Sequence, residues 1–69
     1  MKCLQRKFGK RVREFRTEKG WSQQELADRA GRHGTCIGGV ERGERNPTLA
    51  VIASLAKALG VRIADLFPG

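Results

Sequence analysis

Ser22-Gln23-Gln24-Glu25-Leu26-Ala27-Asp28-Arg29-Ala30-Gly31 carries the start and the stop of one short helix. Ser22 and Glu25 stand three apart, the spacing of a capping box: the serine hydroxyl accepts from the third helical N–H, and the glutamate reaches back to the Ser22 N–H. Trp21, just before the cap, is placed to close over the helix start. Leu26 and Ala30 share one face at helical spacing, and Gly31 suits the left-handed residue just past a helix end. The reading is a helix of about two turns, from Gln23 to Arg29 or Ala30.

Downstream, Gly34 to Arg42 reads as a third helix with Ile37 and Val40 as its inward pair. Its signal is weak, because Gly38 and Gly39 each cost about 1 kcal/mol relative to Ala in a helix interior. Asn46-Pro47-Thr48 then forces an extended turn, with Thr48 as N-cap of a fourth helix whose apolar stripe is Leu49, Ile52, Leu55, Ala56 and Leu59. Gly60 ends that helix, and Val61 to Phe67 makes one last short helix with Arg62, a poor cap residue, at its expected start. Upstream, Leu4, Phe8, Val12 and Phe15 recur at spacings of four, four and three. They lie on one face of a first helix that Gly9 weakens slightly and Gly20 ends. The expected fold is all-α: one domain, 1–69, a compact bundle of about five short helices with a helix-turn-helix at about 22–42.

A chain of 69 residues has a small core, since a domain of this size buries only roughly 60% of its unfolded surface. A pocket enclosing a catalytic constellation is hard to build from so little interior, and no nucleophile, carboxylate pair or phosphate-cradling loop accompanies the single histidine, His33. The expectation is a binding protein, not an enzyme, without cofactor or metal. Of the net charge of +7, residues 1–20 carry +6, and such a basic element suits a polyanion whose counterions are released on binding. Composition alone leaves a merely solvated helix face open beside that reading. Cys3 and Cys36 have no ligand-like companions and read as ordinary thiols of a reducing cytosol. Neither a bilayer-spanning apolar run nor a signal-peptide core is seen, so a soluble, cytoplasmic protein without membrane partners is expected.

The order Gly20-Trp21-Ser22-Gln23-Gln24-Glu25-Leu26-Ala27, Ala30-Gly31, Ile37 and Val40-Glu41-Arg42-Gly43-Glu44-Arg45-Asn46-Pro47-Thr48 resembles the phage-repressor and Cro-like helix-turn-helix proteins, also called the xenobiotic-response-element family. The resemblance extends from Phe8-Gly9-Lys10-Arg11-Val12-Arg13 to Asp65-Leu66-Phe67. It implies a transcription regulator that binds double-stranded DNA as a homodimer, on a palindromic operator with half-sites about 34 Å apart. By this resemblance Gln23 approaches a phosphate, the other reading being a plain exposed glutamine, and Arg16 pairs with Glu41 across the first and third helices. Arg42, Arg45 and Asn46 are suited to backbone contacts, with Asn46 equally readable as only a turn residue before Pro47. The positions that usually read bases are Gly34, Thr35, Gly38 and Gly39, so three of the four carry no side chain. Arg32 and His33 stand where the family usually has an apolar turn residue and a Ser or Thr cap. They either supply a lost base or phosphate contact or are a solvated charge and a poor cap. Ile63, Leu66 and Phe67 are placed at the dimer contact, with capping of the monomer core as the other reading.

The glycines leave three outcomes open: operator-specific binding, binding through phosphates and DNA shape, or a degenerate module with a protein partner, antitoxin-like in character. The basic first helix opposes the last of these.

Overall fold

The computed structural model describes residues 2–67, with side chains from residue 4 onward; the Cys3 thiol lies outside them. The elements run α1 (Lys2–Glu18), α2 (Gln23–Ala30), α3 (Gly34–Glu41), α4 (Leu49–Leu59) and a closing 3-10 turn (Ile63–Leu66). The expected fifth helix is therefore a single tight turn, and α3 stops one residue early, with Arg42 as its C-cap. Only five residues separate Gly60 from the buried Leu66, which leaves no length for a further α-helix.

Local signals explain the boundaries. The Ser22 hydroxyl accepts from the Glu25 N–H at 3.0 Å, and Thr48 Oγ1 accepts from the Val51 N–H at 3.3 Å. Only half of the expected capping box forms, because the Glu25 carboxylate instead takes the Arg29 guanidinium at 2.8 Å, one helical turn on. Gly20, Gly31, Gly43 and Gly60 all adopt positive φ. At Gly31 (φ 68°) this conformation lets the next N–H, that of Arg32, reach back to the Ala27 carbonyl at 2.8 Å and closes α2. His33, the N-cap of α3, makes no side-chain capping bond. The weak Arg62 cap is compensated: the Asp65 carboxylate accepts from the Arg62 N–H at 3.0 Å and pairs with its guanidinium at 3.2 Å. Those side-chain bonds and the backbone bond hold the Asp65 carboxyl below its ordinary value.

α3 packs against α1 and α2, α2 also against α4, and the 3-10 turn against α4 and α1. Phe8 and Val12 of α1, Leu26 and Ala27 of α2, Ile37 and Val40 of α3, and Leu55, Ala56 and Leu59 of α4 meet in one core. Leu66 joins them with no exposed surface. This corrects its placement at the dimer contact, because in this small chain the 3-10 turn supplies the side chain that closes the end of the core. Phe67 is partly buried, its ring 5.0 Å from that of Phe8, while Ile63 remains 41% exposed. Leu4 and Leu49, expected inward from their spacing, are exposed, Leu49 by 74%. Both stand in the first turn of their helices, where periodicity continues but the packed layer does not.

Candidate nucleic-acid interface

With Ile37 and Val40 buried, helical geometry directs Thr35, Gly39 and Arg42 to the opposite side of α3, flanked by Gly34 and Gly38. Between that side and the start of α2 runs an open groove lined by Gln23, Gln24, Asp28, Arg32, His33, Gly34, Thr35, Gly38 and Arg42. The structure thus brings together Gln23, Arg32, His33, Gly34, Thr35 and Arg42 of the residues singled out from sequence. Gln24 and Asp28 were not singled out; Gln24 Nε2 donates to Asp28 Oδ1 at 2.8 Å on the groove wall. Their i,i+4 spacing beside Gln23 is the signal that marks them. Arg32 is partly buried and donates from Nε to Ser54 Oγ of α4 at 3.2 Å, so it is anchored at the groove's end instead of standing free in solvent.

α3 is held from behind by a nearly dry ion pair. Arg16 Nε and Nη2 donate to Glu41 Oε2 and Oε1 at 2.6 and 3.0 Å, and Nη1 donates to the Trp21 carbonyl at 2.7 Å. The two side chains are 11% and 3% exposed. The hydrogen bond to Glu41, more than burial opposes it, raises the Arg16 pKa above its already high value. Gln23 Nε2 donates to the same carboxylate oxygen at 3.1 Å, so one buried glutamate joins the basic helix, the start of α2 and the end of α3. The Gln23 side-chain amide is thus engaged with protein, and the first backbone N–H groups of α2 have no intrahelical acceptor.

The glycines of α3 are not the bare positions that the sequence implies. Gly38 and Gly39 are both buried, because long side chains from the following loop lie over them. A Cβ at Gly38 would come within 3.0 Å of Arg42 Nη1, and one at Gly39 within 2.8 to 2.9 Å of Arg45 Cγ, Cδ and Nε. Arg42 also pairs with Glu44 at 3.0 Å, an exposed contact. Asn46 sits apart from the groove, with Leu4, Gln5, Phe8, Pro47, Ile52 and Phe67 around a small apolar hollow.

A family model described as helix-turn-helix matches residues 12–66. The chain is 47% identical over 55 residues to the control protein C.SmaI of Serratia marcescens, a match covering 80% of this chain and 66% of that protein. It is 45% identical over 60 residues to the control protein C.BamHI of Bacillus amyloliquefaciens, covering 86% of this chain and 74% of that one. The crystal structure of the restriction-modification controller protein C.AhdI from Aeromonas hydrophila superimposes with a TM-score of 0.89 at 49% identity, over 91% of this chain and 96% of that one. The α2–α3 pair, the groove it frames and a family match over most of the sequence converge on one assignment: this chain belongs to the helix-turn-helix family of DNA-binding transcription regulators.

Proposed function

We propose that this chain binds a specific duplex operator as a homodimer and so regulates transcription, as a controller of the kind its named relatives represent. The observation that carries the reading is the open face of α2 and α3, where exposed Thr35 and His33, the Arg42 guanidinium and the start of α2 surround one groove. An α-helix presented in this way fits the major groove, with the first helix of the pair crossing the phosphate backbone. In this arrangement the α2 N-terminus at Gln23 faces a phosphate, Arg42 and Asn46 flank the backbone, and Thr35 meets a base edge. Ile63, with the outer edge of Phe67, is the surface for the second copy.

Selection from a pool of random duplexes at two salt concentrations tests the reading. An enriched palindrome that survives about 150–200 mM salt is the expected result, since specific complexes retain affinity near physiological salt. Binding that collapses with salt and enriches nothing is counterion release alone and overturns operator recognition. The absence of binding at either salt points instead to a protein partner.

Sedimentation tests the second copy. Ile63→Asp is expected to convert the dimer to a monomer by burying an unpaired charge at the contact. A dimer that survives this substitution places the interface elsewhere.

A further inference from the structure

Immediately after α3 the chain doubles back, and the Glu44 and Arg45 N–H groups both point at the Gly39 carbonyl, at 3.0 and 3.4 Å. This fold-back lays the Arg45 stem across Gly39, on the side of α3 opposite Ile37 and Val40. The stem occupies the space that a side chain at residue 39 would otherwise fill. The charged groups around it are otherwise engaged: Arg42 pairs with Glu44, Arg16 with Glu41, and Arg32 with Ser54. Among the described residues Arg45 forms no ion pair.

We infer that Arg45, backed by Gly39, is a base-reading side chain of this protein beside Thr35, and that it recognises a guanine in the major groove. The inference rests on the operator-binding reading above and gives Arg45 a different role from the backbone contact expected from sequence. A phosphate contact from the loop needs no bare helix beneath it, because backbone-directed arginines reach outward from the flank. A guanidinium laid along the outer face of the recognition helix is carried into the groove with that helix. Its planar fork of donors matches the O6 and N7 acceptors of guanine. Gly39 is then a positioning residue: a Cβ there collides with the middle of the arginine stem, not its free end, and lifts the whole side chain off the helix.

The probes are the palindromic duplex selected with the wild-type protein and its set of single-base-pair variants, titrated at several salt concentrations. Wild type is expected to lose about 5- to 100-fold in affinity when that G·C pair is replaced in one half-site. Arg45→Lys retains the charge but not the fork. It is expected to lose most of the discrimination at that pair while keeping the slope of affinity against salt. Gly39→Ala, which favours the helix itself, is expected to lose discrimination at the same pair. The double variant should then be no less specific than Arg45→Lys alone, because both changes break one contact. Retained wild-type discrimination in Arg45→Lys, or a uniform weakening on every duplex, overturns the assignment and leaves Arg45 on the backbone. A wild-type protein that enriches no sequence at all overturns the operator reading itself, and this inference with it.

Discussion

Arg16→Ala is expected to destabilise the protein by about 3–5 kcal/mol, because it leaves the Glu41 carboxylate buried without its bidentate partner. The geometry places the loss at the upper end for ion pairs. Both guanidinium-to-carboxylate bonds are short, and the Trp21 carbonyl loses its donor in the same step. Gln23 Nε2 remains beside Glu41, but one neutral amide cannot replace a charged fork. For a domain of this size each kcal/mol shifts the melting temperature by about 4–8 °C, so a fall of at least about 12 °C is expected in a thermal melt. The whole stability of a chain this long is only roughly 3–10 kcal/mol, which brings the variant close to unfolding at growth temperature. An Arg16→Met, Glu41→Leu double variant should recover much of the loss, since removing both charges removes the cost of burying one alone. A single variant that melts like wild type would show the pair to be dispensable.

Gly9→Ala is expected to destabilise as well, and here the sign is the test. Helix propensity alone predicts a gain of about 1 kcal/mol at a mid-helix glycine. The packing predicts the opposite. A Cβ on Gly9 would overlap the Val40 carbonyl oxygen and lie 2.8 Å from that of Glu41. Those atoms are backbone of the recognition helix and cannot rotate aside as a side chain can. Either α1 moves off α3 or α3 shifts against α2, and overpacking of this kind costs typically about 1–3 kcal/mol and sometimes more. A net loss in urea unfolding, with weaker DNA binding even where the fold persists, is the expected outcome. A net gain would show that the α1–α3 contact yields easily.

The same glycine shows where sequence reasoning stops. Read along the chain, Gly9 is a blemish in an otherwise regular amphipathic helix. In three dimensions it is the point of closest approach between α1 and the element that carries the proposed site. Nothing in the local pattern distinguishes the two, because the contact joins residues more than thirty positions apart. Leu49 and Leu66 make the point in opposite directions. Leu49 obeys the apolar period of α4 yet is exposed, whereas Leu66, read as free for a partner, is fully enclosed. Periodicity assigns a face to a residue but not the depth of cover over it.

By itself the sequence determined the helical architecture, the ends of α2 and α4 and the helix-turn-helix. These are local devices: a serine or threonine three residues before the N–H it caps, a glycine that reaches the left-handed region, and apolar residues repeating at 3.6. Only the tertiary structure decided what covers the bare face of α3. From sequence, Gly38 and Gly39 remove base-reading side chains and leave the recognition helix empty. In the fold, the loop turns back through the Gly39 carbonyl and lays Arg42 and Arg45 into the space those glycines vacate. The direction a chain takes after a helix is set by long-range packing and backbone hydrogen bonding together, and neither is written in the residues of the helix it leaves.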